Sequence, residues 1–153
     1  SETGELKYRL SPDEKVSSFK PIDGTKIDFH KQHDAQITKT GNDTARLTIY
    51  DNGDLDIEGP EMVSYGIVYE LNLKDKTVKE LESFHDGDQA GVYTGSFNRL
   101  DNGALVCFGM NKKKPIFASL FDNEGNVTAR YTYTDKANIN SYRWRVAVKD
   151  IYS

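Results

Sequence analysis

The stretch that decides the fold runs from Gln32 to Phe84, and it reads QHDAQI at 32–37, ARLTIYDNGD at 45–54, SYGIVYEL at 64–71 and TVKELESF at 77–84. In the second segment, Leu47 and Ile49 alternate with polar side chains, which is the period of a half-buried strand. Turn-forming residues such as Gly41-Asn42-Asp43 separate the segments. The stretch therefore predicts four consecutive strands.

The last two of these segments recur downstream at a fixed distance. Three pairs are each 49 residues apart, and a fourth pair is 60 apart: Ile67 with Ile116, Leu71 with Leu120, Val78 with Val127, and Ile37 with Phe97. A period of about 50 residues with four strands per unit is typical of propeller blades. An antiparallel sandwich with a coincidental repeat is the alternative.

The repeat predicts an all-β chain built from β-propeller-type, four-stranded antiparallel blades. Residues 1–25 are interpreted as the tail of a preceding element, 26–84 and 85–134 as two blades, and 135–153 as a final strand. A propeller closes with about 4–8 blades. We therefore expect a larger propeller, in which a missing portion, another chain or self-association covers the exposed sheet faces and edges.

Composition excludes several classes of partner. The net charge is -4 and the only marked basic run is Lys112-Lys113-Lys114, so nucleic acid is not expected. No apolar run reaches about 18 residues, so no membrane span is predicted, and no signal peptide begins the chain. The single cysteine, Cys107, lies in an apolar run and is interpreted as a buried structural thiol.

The blade geometry sorts the polar residues onto two faces. One face, here called the loop-rich face, collects the long loops at 30–34, 51–64, 85–89, 111–115 and 140–143, and it includes all three histidines. The opposite face receives only short turns, at 41–43, 74–76, 101–103 and 122–125. Long polar loops on one face of a scaffold are typical of a functional site.

Acidic residues in one of these loops invite a calcium-binding interpretation. Asp51, Asp54, Asp56 and Glu58 supply oxygen ligands of the kind that calcium prefers. However, Gly53 comes too early for an EF-hand loop, and no glutamate stands at the twelfth position. An ordinary hairpin loop is favoured, and no metal site is predicted.

Several motifs, in order, resemble the later blades of bacterial aryl-sulfate sulfotransferases. They are QHDA at 32–35, YDNGD at 50–54 and SYGIVYEL at 64–71, while SYR at 141–143 resembles the C-terminal strand of that family. The similarity covers about residues 26–150. It implies a six-bladed propeller in an exported enzyme, extracellular or periplasmic.

The resemblance also implies a reaction. Such enzymes transfer a sulfuryl group from a phenolic sulfate ester to a phenol acceptor, without a nucleotide sulfate donor and with no cofactor expected. The implied mechanism is ping-pong, through a transiently sulfated histidine. Imidazole suits both roles, since it is a nucleophile when neutral and an acid or base near pH 7.

Five residues are candidates for the site. His33 matches the family's histidine in the Gln-His motif, which implies an acid/base or oxyanion donor facing the channel; a structural histidine bonded to the neighbouring blade is the alternative. Arg143 is a candidate channel cation, or an arginine on the exposed side of the last strand. Tyr93 and Thr94 enter an inner strand and line the channel or pack in the core. Lys112 holds sulfate electrostatically or is a solvated loop residue.

Two departures from the family keep a second hypothesis open. Acidic residues, Asp54 and Asp56, follow the Asp-Asn-Gly motif where the family carries an arginine, and no histidine lies at 111–114, where the nucleophile is expected. His85 shares the face but nothing aligns it with the nucleophile. The alternative is a non-catalytic ligand- or protein-binding module; a structural β domain completed by dimerisation is a third hypothesis.

Overall fold

The computed structural model describes residues 5–53, 63–87, 89–91, 94–108 and 116–132, and all of the regular structure in these residues is β. Its strands are β1 (Lys20–Pro21), β2 (His33–Lys39), β3 (Thr44–Asp51), β4 (Tyr65–Asn72), β5 (Thr77–Phe84), β6 (Gly95–Leu100), β7 (Gly103–Phe108), β8 (Ile116–Phe121) and β9 (Val127–Thr132). The absence of helices in this part of the chain confirms the predicted all-β class.

The strands form two sheets. In the first, β2 to β5 pair antiparallel with their neighbours, and β1 adds a fifth strand parallel to β5, in the order β1-β5-β4-β3-β2. The second sheet has the order β6-β7-β8-β9 and is antiparallel throughout. Two four-stranded meanders, the first extended by β1, are consistent with propeller blades.

The sheets pack face to face because β6 crosses the first sheet. Gly95 lies against the ring of Tyr50, and Phe97 lies against Gly66, where a side chain would collide with the phenyl ring. Phe84 contacts Phe97 at a ring-centroid distance of 5.7 Å. Tyr50, Phe84 and Phe97 belong to one buried cluster together with Val68, Ala104, Val106, Phe108 and Phe121. One part of the core therefore lies between the two sheets.

The other face of the first sheet is covered by the segment that precedes β2. Phe19 and Phe29 are buried there against Ile49, Tyr69 and Val78, the last two of which are almost inaccessible. Part of the region interpreted as the tail of a preceding element thus joins the first sheet through β1.

Side-chain ion pairs also join the two sheets. Arg99 on β6 donates to both carboxylate oxygens of Glu82 on β5, at 2.6 and 2.8 Å, and its guanidinium lies 5.7 Å from the Phe84 ring. Arg130 on β9 donates to both oxygens of Asp86, at 2.7 and 2.8 Å. Bidentate pairs of this kind fix orientation as well as distance, so they define how the second sheet sits on the first.

The first sheet has an irregular start and one pair of unequal equivalents. β2 begins at His33, just after Lys31, whose left-handed φ of 50° interrupts an extended chain; a second left-handed residue, Asp34 with a φ of 50°, lies inside the strand. The predicted equivalents Ile37 and Phe97 also differ in burial, at 66% and 0% exposed. Ile37 lies on the edge strand β2, whereas Phe97 fills the space between the sheets.

Candidate functional site

Strand register brings the three histidines to one end of the sheets. His33 at the start of β2 pairs with Tyr50 near the end of β3, and Gly66 near the start of β4 pairs with Phe84 at the end of β5. His30 precedes this end of β2, and His85 directly follows β5. The described part of the loop-rich face therefore lies where the sequence placed it, and the short turns lie at the other end.

His33 is exposed on the edge strand of the first sheet. Its ring forms no hydrogen bond or ion pair with any other described residue. Its backbone position is fixed, since the residue is paired in the β2–β3 ladder. An imidazole presented to solvent from a paired strand can exchange protons with a bound molecule. The role given to His33 remains a prediction.

Asp34, directly after His33, makes the contact between the sheets at this end. A register irregularity in β2 and its φ of 50° turn its carboxylate toward the second sheet. There Oδ2 accepts a hydrogen bond from the backbone N–H of Phe97 at 3.3 Å, and Oδ1 accepts one from Gln36 at 3.3 Å. Asp34 thus anchors the start of β2 to the edge of β6 that pairs with no other described strand.

The Asp51 carboxylate holds the backbone at two places, at His30 and at Gly53 in the turn after β3. Its buried Oδ1 accepts hydrogen bonds from the backbone N–H of His30 at 2.8 Å and of Gly53 at 2.9 Å. Burial raises the pKa of this carboxyl, and the two backbone hydrogen bonds partly offset the increase. Gly53 has a φ of 79°, and a side chain there would meet the carbonyl oxygen of Val63, so glycine is required at this turn.

Asn52 and Ser64 form a buried polar node next to the turn. Asn52 Nδ2 donates to the carbonyl of Gly91 at 2.5 Å, and Ser64 Oγ donates to the carbonyl of Asn52 at 3.0 Å. The N–H of Gly91 donates back to Ser64 Oγ at 2.9 Å. These hydrogen bonds join the segment after β3 to the segment that leads into β6, so they connect the two sheets at the loop-rich face.

The other two histidines lie close to acidic or aromatic neighbours. His30 Nδ1 is 3.9 Å from an oxygen of Asp28. The ring of His85 lies 5.2 Å from the ring of Tyr65, and its Nδ1 is 3.3 Å from the carbonyl oxygen of Gly87. His85 is exposed, like His33, but its ring contacts Tyr65 at the edge of the first sheet.

The sequence places Asp86 only in the polar loop at 85–89. In the structure, its carboxylate joins the end of β5 to β8 and β9. Besides its pair with Arg130, it accepts a hydrogen bond from Ser119 Oγ at 2.6 Å. Hydrogen bonding to Arg130 holds the pKa of this carboxyl below its usual value, against the opposing effect of burial. Nothing local marks Asp86 as different from its neighbours, because its partners lie 33 and 44 residues away along the chain.

The remaining candidates divide between described and undescribed residues. Thr94 is half-buried immediately before β6, at the histidine end of the sheets. Tyr93, Lys112 and Arg143 lie outside the described residues, so their predicted roles remain predictions. The same holds for Asp54, Asp56 and Glu58 of the acidic loop. The fourth member of that group, Asp51, uses its carboxylate to accept backbone hydrogen bonds.

Comparison with known families gives one result. The family described as Arylsulfotransferase (ASST) matches residues 1–134 of the chain. The match includes the N-terminal segment that covers the first sheet and ends before Ser141-Tyr142-Arg143. No curated protein and no solved structure matches significantly. Within the described residues there is no helix long and apolar enough to cross a bilayer.

Proposed function

The chain belongs to the arylsulfotransferase family, and from this premise we propose that it contributes two adjacent blades of a six-bladed propeller that transfers sulfuryl groups between phenolic compounds. The donor is a phenolic sulfate ester and the acceptor is a phenol. The site is the loop-rich face, and His33 is its candidate acid/base or oxyanion donor. Further blades, from a longer chain, another chain or additional copies, complete the propeller.

The observation that carries this proposal is the contrast between the His33 ring and its backbone. The ring is exposed and has no hydrogen-bonding partner among the described residues, whereas the strand that carries it is fixed by the β2–β3 ladder and by the contact of Asp34 with β6. A fixed support with a free imidazole is what acid/base chemistry requires. The ring nitrogens of a structural histidine would instead be expected to form hydrogen bonds within the protein.

The proposed reaction consists of two balanced steps. A histidine nitrogen attacks the sulfur of the donor ester, the bond from sulfur to the phenolic oxygen breaks, and the leaving phenolate receives a proton. The acceptor phenol then loses a proton to a base as its oxygen attacks sulfur, and the bond between sulfur and nitrogen breaks. His33 is suited to hold or deliver one of these protons, or to stabilise the sulfuryl oxygens when it is protonated.

Catalysis of this kind in an exported propeller also fits the proposed location. We place the protein outside the cytoplasm, in the extracellular space or the periplasm, on the basis of its family. A donor that needs no nucleotide is suited to such a compartment.

The charge around His33 favours one alternative, a binding module that has lost catalysis. Carboxylates of Asp28, Asp34 and Asp51 lie at the histidine end of the described sheets, and an acidic surrounding disfavours a sulfate ester. Under this alternative the loop-rich face binds a neutral or cationic ligand. The two functions differ in whether the protein ever carries a sulfuryl group.

The first step of the reaction, transfer of a sulfuryl group to the protein, distinguishes the transferase from the binding module. The longest natural form of the protein, and this chain beside it, are incubated with 4-nitrophenyl sulfate and no acceptor, and the intact mass is measured. The proposal predicts that the longest form gains the mass of one sulfuryl group and loses it when phenol is added. His33→Ala should slow this gain, whereas His85→Ala, which removes an exposed histidine of the same face whose ring contacts Tyr65, should affect it less.

Two outcomes contradict parts of the proposal. A folded longest form that never gains the sulfuryl group, and that releases no 4-nitrophenol, overturns the transferase assignment and favours the binding module. A gain that is equally fast in the wild type and in His33→Ala removes His33 from the site while leaving the transferase assignment in place.

A further inference from the structure

A β-bulge lies at the start of β2, directly after His33. His33 pairs with Tyr50 and Gln36 pairs with Thr48, so a longer stretch of β2 lies between these two pairs than of β3. Two residues of β2 therefore stand opposite a single residue of β3, which is the defining feature of a bulge. The first of these two residues is Asp34.

The bulge decides which face of the first sheet carries His33. Directly opposed residues of two strands share a face, and Tyr50 lies on the face turned toward the second sheet, since it belongs to the buried cluster that includes Phe97. His33 therefore stands on this face. Without the extra residue, Asp34 would lie opposite Tyr50, and His33 would point to the other face, which the segment before β2 covers.

Asp34 is an unusual residue for its place in the bulge. Its φ of 50° lies in the left-handed region, where glycine is the usual residue because a Cβ atom destabilises this conformation. The half-buried carboxylate, which glycine would lack, accepts hydrogen bonds at 3.3 Å from the backbone N–H of Phe97 and from the side-chain amide of Gln36. Aspartate at a position that favours glycine points to a use for the contact with β6.

The segment that carries His33 needs such a contact, because it is the end of an edge strand. Among the described strands, β2 pairs only with β3, and strand ends of this kind fray readily. Two carboxylates oppose fraying: Asp51 accepts the backbone N–H of His30, and Asp34 accepts that of Phe97. Of these two contacts, the one made by Asp34 joins the segment to the second sheet.

We propose that Asp34 is a positioning residue for His33: its contact with β6 holds the bulge in the conformation that directs the imidazole into the site on the loop-rich face. This role rests on the proposed transferase function, in which His33 is an acid/base or oxyanion donor. Such a group must lie within hydrogen-bond reach of the reacting atoms. Asp34 acts through His33 rather than on the substrate.

Two substitutions separate the carboxylate from the backbone conformation. Asp34→Gly permits the left-handed backbone but removes the hydrogen-bond acceptor, whereas Asp34→Asn keeps an acceptor oxygen and accepts the same φ. In the longest natural form, transfer from 4-nitrophenyl sulfate to phenol should be about ten- to a hundredfold slower in Asp34→Gly, chiefly through kcat. Asp34→Asn should transfer at nearly the wild-type rate. Asp28→Ala, which removes an exposed carboxylate from the same end of the sheets, should not slow transfer.

A double-mutant cycle shows whether the effect passes through His33. In the His33→Ala background, Asp34→Gly should slow transfer further by less than about twofold, because the residue that it positions is absent. An equal loss with and without His33, or a wild-type rate in Asp34→Gly, would overturn the proposal. A loss in Asp34→Asn as large as that in Asp34→Gly would assign the effect to charge and would overturn it as well.

NMR tests the positioning without turnover. The longest natural form is labelled with ¹³C in its histidine rings, and the His33 signal is assigned by its loss in His33→Ala. Asp34→Gly should shift or broaden this signal, whereas Asp34→Asn, which loses the same charge, should leave it close to the wild type. If the wild type transfers no sulfuryl group, the transferase function is wrong, yet a His33 signal altered in Asp34→Gly alone still supports the positioning. A His33 signal that is the same in all three proteins overturns it.

Discussion

Replacing Gly66 with alanine tests how the two sheets pack. The backbone of Gly66 is ordinary for a strand, so an alanine would otherwise raise the free energy of unfolding by about 0.4–1 kcal/mol by restricting the unfolded chain. In the structure, however, the new Cβ would lie 2.1 Å from Cδ2 of Phe97 and 2.6 Å from Cγ and Cε2. Alanine and the ring cannot both keep their places.

The size of the effect follows from the surroundings of the ring. Phe97 is 0% exposed and lies against Phe84, so it has no solvent to move into. Overpacking of a core typically costs about 1–3 kcal/mol. We expect Gly66→Ala to lower the free energy of unfolding by about that amount, which reverses the sign that the backbone alone would give.

Urea denaturation measures this change, with Gly41→Ala as the matched control. At Gly41, in an exposed turn, the new Cβ meets the hydroxyl of Thr44 at 2.5 Å, a contact that rotation of one side-chain bond relieves, and we expect a change within about 0.5 kcal/mol. Phe97→Leu removes ring atoms and should make Gly66→Ala less costly in the double variant. If Gly66→Ala is neutral or stabilising, β6 does not cross the first sheet as described.

Three further predictions concern buried polar groups. Asp86→Asn should lower the free energy of unfolding at pH 7 by about 1–3 kcal/mol. Because pairing with Arg130 lowers the pKa of Asp86 in the folded state, the stabilisation by this carboxylate is present at neutral pH and is lost below about pH 4. The unfolding curves of the wild type and the variant should therefore converge in acid. Ser64→Ala should cost about 1–3 kcal/mol in urea unfolding, since it leaves the buried N–H of Gly91 without its acceptor; an unchanged midpoint would contradict the node. Burial raises the pKa of the Cys107 thiol, so a thiol reagent should label it only upon unfolding, and fast labelling of the native protein would refute its placement in the core.

Local sequence patterns predicted the strands well. Alternation of apolar residues located β3 and β4, and turn residues such as Asp101-Asn102-Gly103 located the β6–β7 hairpin, because both depend on neighbours in the chain. The separation of long loops from short turns also followed correctly, since antiparallel register alone decides it. These local features are sufficient to predict the loop-rich face from the sequence.

Long-range partners could not be predicted in the same way. The parallel pairing of β1 with β5 joins residues 57 apart in the chain, and no local pattern marks a two-residue strand. The inter-sheet contacts of Asp34, Asp86 and Arg99 depend on how one sheet rests on the other. The Asn52 node had a partial indication in the Asp-Asn-Gly turn, since an aspartate two residues before a glycine often accepts its N–H.

The most direct test of the proposed function is transfer itself. The longest natural form is incubated with 4-nitrophenyl sulfate and phenol, and phenyl sulfate is quantified by chromatography beside released 4-nitrophenol, in the wild type and in His33→Ala. We expect equal amounts of both products in the wild type and at least about a hundredfold lower transfer rate in the variant, as follows from loss of a general acid or base. Release of 4-nitrophenol without phenyl sulfate, or no turnover at all by the folded wild type, would contradict it.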